Sequence, residues 1–266
     1  SEYIVTRDVF ASGFSILYSQ HAPTALKRCS LFTGSYEHLV GVAVNPQKIA
    51  NARRHLKTQN LRKGVDLLSS RTALYFNPSC RLGVIRGSLS DGDYAFCNGD
   101  YDELWFVYSG SGTLLTAYGK LSFSPHDYLL IPKGTPYRVT HTEELEIFVT
   151  EGKSIEIPQT FRNDMGQLRL EAPYTHRDFA SPTELLSHDE AQGFNRILTL
   201  RQQTLTEEIY SETSAHTIGW DGSVYPLRFN IHDFLPKTGK IHLPPNLHLS
   251  FQGSQFVVCS FVPRLV

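Results

Sequence analysis

The most regular signal along the chain is a series of short runs in which apolar and aromatic residues alternate with polar ones. Leu104–Tyr108, Thr113–Tyr118, Lys120–Phe123, Tyr128–Pro132, Tyr137–Thr140 and Leu145–Thr150 share this texture, which predicts strands. Ser109-Gly110-Ser111-Gly112 and Tyr118-Gly119-Lys120 supply hairpin turns. Turn signals roughly every eight to twelve residues predict a sandwich or barrel. A second strand-rich stretch opens near Phe194 and includes Arg196–Leu200, Leu205–Tyr210, Ser223–Phe229 and Phe256–Phe261. Between the two, Pro158–Pro182 is rich in Pro, Asn and Arg and reads as an irregular connector. One helix is predicted. Asn45-Pro46 forms an N-cap and first-turn proline, and Gln47–Lys63 follows with Ile49, Ala50, Ala52 and Leu56 on a weak apolar stripe. The expected organisation is an extension with one helix over 1–72, a first β domain over 73–157, a connector over 158–193 and a second β region over 194–266.

Composition narrows the function classes. The 266 residues are 41% hydrophobic and 19% charged, a globular balance with enough chain for a sizeable core. Lys and Arg number 25 against 26 Asp and Glu, a net charge of −1. That leaves no electrostatic footprint for nucleic acid or a membrane surface, so neither partner is expected. The basic face of the helix (Lys48, Arg53, Arg54, Lys57, Arg62 and Lys63) therefore reads as solvated rather than as an anion patch. No apolar run reaches the roughly 18 residues of a membrane span, and Ser1–Val5 lacks signal-peptide character. Cys29, Cys80, Cys97 and Cys259 are scattered without a CxxC, so a reducing, cytoplasmic setting is expected. The 16 Phe and 13 Tyr favour strands, and 11 His keep a metal or acid–base site open without locating one. HxH, HExxH, GxSxG, Walker A and GxGxxG motifs are all absent.

The first β domain carries Glu103, six further residues and a turn glycine, Gly110, and later His126-x5-Pro132-x-Gly134-x2-Tyr137. This spacing resembles the two motifs of the cupin superfamily, whose metal-binding members take two histidines and a glutamate from the first motif and a histidine from the second. Here only Glu103 survives. The histidine positions fall on Phe96 and Asn98, or on Cys97 and Gly99 under a one-residue shift, and the last falls on Tyr137. The expectation is a degenerate, structural cupin with no metal ligand, against a less favoured Glu103/Cys97 site.

The most specific stretch is Gly219-Trp-Asp-Gly-Ser-Val-Tyr-Pro-Leu-Arg-Phe-Asn-Ile-His-Asp-Phe234. It continues through Thr238-Gly-Lys-Ile-His242-Leu-Pro-Pro-Asn-Leu-His248 to Phe256-Val-Val-Cys-Ser-Phe-Val-Pro-Arg264. It resembles the homogentisate 1,2-dioxygenase family in its bacterial form. Gly13–Thr24, Asp102–Val107, Pro158–Leu168 and Glu171–Tyr174 resemble other parts of that family in the same order. The resemblance implies a mainly β bicupin (double-stranded β-helix, or jelly roll), its N-terminal cupin metal-free and its C-terminal cupin incomplete in this chain. It also implies Fe(II) as cofactor, O2 and a small aromatic substrate as partners, maleylacetoacetate as product, and a homo-oligomer, a trimer or a dimer of trimers. The family's 2-His-1-carboxylate iron ligands lie after the strand that ends here in Pro263-Arg264, so no metal ligand is assigned within the chain. A chain halted mid-cupin would expose a sheet edge and half a core, which favours a piece of a longer polypeptide over a natural truncation.

One catalytic position is implied by the family's x-His-x-x-Pro context. His242, followed by Leu243-Pro244-Pro245, would orient and deprotonate the substrate phenol. His248 is the candidate substrate-binding residue, with a structural histidine as its plainer reading. Trp220, Asp221 and Tyr225 read as a tight Asp-Gly turn pinned by buried aromatics. Besides the dioxygenase reading stand a metal-free cupin-like binding module without turnover and, less favoured, an isomerase or hydrolase on the same fold.

Overall fold

The segment Asp102–Ser109 turns an alternating sequence into a layered fold. Its odd positions Trp105 and Val107 enter one apolar cluster, while Leu104 and Phe106 on the opposite face enter another. A strand buried on both faces needs cover on both sides, which is why Leu-Trp-Phe-Val reads as a nearly continuous apolar run. The computed structural model describes residues 1–7, 13–41, 55–89, 93–236 and 248–262.

In chain order the elements begin with β1 (Glu2–Thr6), β2 (Phe14–Ser19), β3 (Leu26–Leu31), α1 (Glu37–Val40), α2 (Leu67–Ser70) and β4 (Arg71–Phe76). Eight strands follow in close succession: β5 (Cys80–Gly87), β6 (Ala95–Asn98), β7 (Asp102–Ser109), β8 (Gly112–Thr116), β9 (Gly119–Phe123), β10 (Asp127–Ile131), β11 (Tyr137–His141) and β12 (Leu145–Gly152). The remainder comprises β13 (Phe179–Ala180), α3 (His188–Gln192), β14 (Arg196–Arg201), β15 (Thr204–Tyr210), β16 (Thr217–Gly222), β17 (Leu227–Asn230), β18 (Leu249–Gln252) and β19 (Val257–Cys259).

β5 to β12 form a jelly roll, ordered β10-β7-β12-β5 in one sheet and β6-β11-β8-β9 in the other. Later strands extend these same sheets. β17 and β13 add beside β10, and β14, β15 and β3 add beside β6, with β14 parallel to β6. Phe96, Trp105, Leu129, Val139, Ile147 and Leu198 fill the space between the sheets. Outside the first sheet, Tyr128, Leu130, Tyr174, Phe229 and Phe251 make an aromatic layer under the β18–β19 hairpin. Outside the second, Leu17, Cys97, Tyr118, Phe194 and Ile197 make another, covered by the small sheet β1-β2-β16. The chain is thus mainly β, and its first sandwich is a cupin-type jelly roll.

Several expectations need correction. Residues 47–54 of the predicted helix lie outside the described residues, but 55–63 hold only one 3-10 turn, Thr58–Asn60. Arg86 Nη1 donates to the carbonyls of Thr58 at 2.7 Å and Leu61 at 3.0 Å, so a side chain takes backbone acceptors there. Of the predicted strand Ser223–Phe229 only Leu227–Phe229 forms a ladder, within β17; Ser223–Pro226 is irregular, ending in Pro226, which has no N–H to donate, and β16 stops just before it at Gly222. Trp220 and Asp221 lie within β16 rather than in a tight turn. Trp220 is half-buried, edge-on to Tyr118 at 5.3 Å and beside Tyr225 at 5.0 Å. The bend follows at Gly222, whose φ is +128° and where a Cβ would lie 2.3 Å from the Phe14 carbonyl oxygen.

Candidate functional site

The period-2 alternation of β6 decides which residues face the jelly-roll interior. Phe96 and Asn98 point inward, whereas Cys97 joins the outer layer. Burial pushes the Cys97 thiol up to about 12, so it is an apolar wall and not a ligand. The inward pair meets Glu103 from β7 and Tyr137 from β11, the four positions at which a metal-bearing cupin would place its ligands.

Here those positions surround a guanidinium. Arg71, at the start of β4, donates from Nη1 to Glu103 Oε2 at 3.0 Å and to Tyr137 Oη at 2.9 Å. Its Nη2 lies 2.8 Å from Glu103 Oε1 and 3.0 Å from Glu151 Oε1, an ion-pair approach without hydrogen-bond alignment. Glu103 Oε2 also accepts from Trp105 Nε1 at 2.8 Å and Tyr137 Oη at 2.9 Å, and Oε1 accepts from Asn98 Nδ2 at 2.9 Å. Asn98 Nδ2 reaches Glu151 Oε1 as well, at 2.6 Å, and Arg81 Nη1 stands 3.3 Å from both Glu151 oxygens. The Arg71 guanidinium lies over the Phe96 ring, 5.2 Å from its centroid.

The register explains the crowding. Glu103 and Arg81 lie directly across from Glu151 on its two neighbouring strands. Two carboxylates in one row repel unless a cation intervenes. Burial alone would raise the Glu103 carboxyl, but Arg71 and the surrounding donors outweigh it and hold it below its ordinary value. Glu151 shifts the other way, raised by burial against the pull of Arg71 and Arg81. Burial, reinforced by the Glu103 charge, keeps the Tyr137 phenol well above its ordinary value, so it remains a donor. This centre does not fit Fe(II). The lone pairs of Glu103 are committed to donors, Phe96 offers no ligand atom, and a resident guanidinium repels a metal cation. Among the described residues no group of three or more His, Cys, Asp and Glu could hold a metal ion.

Of the two histidines singled out by sequence, His242 lies outside the described residues. His248 immediately precedes β18 and is 4% exposed. Its Nδ1 is 3.2 Å from the Ser260 carbonyl oxygen, so Nδ1 carries the hydrogen, and Ser260 N donates back to the His248 carbonyl at 2.7 Å. Its ring packs 4.5 Å from that of Phe261. The same hairpin is tied to the jelly roll by Tyr128 Oη and Ser260 Oγ at 3.0 Å, and by Tyr174 Oη donating to the Ser250 carbonyl at 2.8 Å. Sequence reasoning missed Arg71, Arg81 and Glu151. Their signal was a charged residue recurring in the inward phase of otherwise apolar strands.

A jelly roll with cupin ligand positions defines the protein class. Residues 81–231 match the family described as homogentisate 1,2-dioxygenase N-terminal, and the chain belongs to that family. A protein of Saccharolobus solfataricus, provisionally named a dioxygenase, is 33% identical over 260 residues, 96% of this chain and 65% of that protein. Homogentisate 1,2-dioxygenase of Mus musculus is 24% identical over 142 residues, 53% of this chain and 31% of that enzyme. The chain therefore spans less than two thirds of the length of either relative. Among solved structures, the Schizosaccharomyces pombe Cnp3 cupin domain matches 32% of this chain and 64% of its own, at 12% identity and a TM-score of 0.29. No described helix is long and apolar enough to cross a membrane.

Proposed function

We propose that this chain is the N-terminal part of an Fe(II)-dependent ring-cleaving dioxygenase that converts homogentisate and O2 to maleylacetoacetate. The observation that carries the reading is the family match over residues 81–231, joined to the uninterrupted resemblance from Gly219 to Arg264. The iron ligands are assigned after Pro263-Arg264, where the family resemblance puts them, and Glu103 is not among them because it is already committed to Arg71 and its neighbours. In this reading the first jelly roll is scaffold, and residues 194–266 begin the catalytic half. His242 holds a phenolic proton of the bound hydroquinone, a task suited to a side chain that titrates near neutrality. Oligomerisation into trimers belongs to the same proposal, with interfaces of about 2,000 Å² or more.

The runner-up, a metal-free binding module without turnover, draws on the saturated Arg71–Glu103 centre. The two are separated by purifying the native polypeptide, measuring its intact mass and bound iron, and following oxygen uptake with homogentisate and gentisate. Iron together with homogentisate-dependent uptake supports the dioxygenase. A folded, iron-free native product of 266 residues overturns it, and a preference for gentisate overturns the substrate assignment.

A further inference from the structure

A cavity of about 610 Å³ lies between the outer face of the second sheet and the small sheet β1-β2-β16. It occupies a different layer from the Arg71–Glu103 cluster, and nothing in the proposed ring cleavage uses it. Two of its lining residues carry hydroxyls that lack partners. Tyr118 is 1% exposed and Thr135 3% exposed, and neither Tyr118 Oη nor Thr135 Oγ1 has a hydrogen-bond partner. A buried hydroxyl without a partner costs free energy, and folded proteins seldom keep two beside one cavity unless something fills the need.

The chemistry of the lining narrows what could fill it. Burial raises the Tyr118 phenol above its ordinary value, so it presents an O–H and not a phenolate. Lys133 and Arg201 bring two cations to the lining against one carboxylate, Glu208, which already accepts from Tyr210 Oη at 2.8 Å. Ile4, Val5, Leu17, Phe194, Ile197 and the buried Cys97 make much of the remaining wall apolar, with Thr6, Thr199, Thr213 and Ser214 adding further hydroxyls. Donors and excess positive charge in a partly apolar lining suit an anion with an apolar body.

We infer that this cavity binds a small monocarboxylate with an apolar body, its oxygens accepting from Tyr118 Oη and Thr135 Oγ1 and its charge facing Lys133 and Arg201. The inference stands independently of the dioxygenase proposal.

Calorimetric titration of the chain with benzoate and with octanoate tests it, with benzyl alcohol as the uncharged control. At least one carboxylate should saturate and the alcohol should bind at least tenfold more weakly. Tyr118→Phe and Thr135→Val should each weaken carboxylate binding roughly tenfold, and Lys133→Gln should weaken it and flatten its salt dependence. Because the hydroxyls lack partners in the free protein, Tyr118→Phe and Thr135→Val should melt at or above the parent temperature. That result also shows that the variants are folded. No saturation by either carboxylate up to about 10 mM overturns the site, as does unchanged affinity in both hydroxyl variants. Equal binding of the alcohol overturns the anion class. A lowered melting temperature in both variants means that trapped water satisfies the hydroxyls, which overturns the reading as a ligand site.

Discussion

Arg71 and Glu103 meet at the centre of the jelly roll, with Nη1 3.0 Å from Oε2 and Nη2 2.8 Å from Oε1, their side chains 4% and 1% exposed. The carboxylate that a metal-bearing cupin would offer to a cation still has one, now supplied by the protein. A metal can keep open positions for a substrate. A guanidinium offers only N–H donors, so the pairing preserves charge balance and gives up the capacity to bind and activate a ligand there.

Arg71→Met should therefore act on stability. It leaves Glu103 and Glu151 buried without their shared cation, and breaking one side of a buried pair costs about 3–5 kcal/mol. Adding Glu103→Gln and Glu151→Gln to Arg71→Met should recover a large part of that loss, because it removes the unpaired charges. Urea unfolding of the single and triple variants checks this. A single variant within about 1 kcal/mol of the parent would show that the cluster is not the electrostatic anchor described.

The two carboxylates should respond to pH with opposite signs. Glu103 is depressed in the folded state, so its stabilisation is present above the unfolded carboxylate value of about 4.3 and is lost as pH falls through its lower folded value. Glu151 is raised, so its contribution is fullest below about 4.3 and declines as pH rises towards its higher folded value. At pH 7, Glu103→Gln should then cost more stability than Glu151→Gln, by roughly 1–2 kcal/mol. Glu151→Gln should also flatten the decline above about pH 4.3. Chemical unfolding at a series of pH values reads both effects, and equal costs at pH 7 would contradict the assignment.

How far this was readable from sequence depended on which neighbours a residue has. The hairpin strands from Leu104 to Thr150 were legible because their alternation and glycine turns are local properties. The order in which they assemble follows from the cupin spacing around Glu103 and Gly110. β3 was missed because Leu26–Leu31 is an almost wholly exposed strand, so burial wrote no apolar pattern into it. The choice between Asn98 and Cys97 was undecidable from spacing, since one residue flips the face. Arg71 shows as a charge at an inward position, but its partners could not be named from sequence, because Glu103 lies on a non-adjacent strand of its own sheet and Tyr137 on the facing sheet.

Removal of metal should leave this chain unaffected. The jelly-roll centre is closed by Arg71, so exhaustive chelation and later addition of Fe(II) or Zn(II) should leave the melting temperature of the 266-residue chain unchanged. A saturable rise of several degrees would reveal a cation site and require Arg71 to vacate the Glu103 carboxylate. Differential scanning calorimetry with and without each ion decides this.

The two histidines should separate by kind of effect. His248 donates from Nδ1 to the Ser260 carbonyl at the base of the β18–β19 hairpin and stacks beside Phe261. His248→Ala forfeits a buried hydrogen bond and ring packing, so it should destabilise by about 1–3 kcal/mol. His248→Asn, whose amide can donate to the same carbonyl, should recover part of the loss. In an iron-loaded, full-length protein, turnover of the folded His248→Asn fraction should stay within a few-fold of the parent. His242→Ala should do the reverse, leaving the melting temperature and bound iron unchanged while lowering turnover by roughly two to four orders of magnitude, the scale of removing an acid–base group. Oxygen-electrode rates, iron content and melting measured on the same samples resolve the pair. Loss of iron in His242→Ala would make it a ligand or a support for one, and near-parent turnover would remove it from the chemistry. A large drop in turnover for a stably folded His248→Asn would move His248 from hairpin anchor to substrate contact.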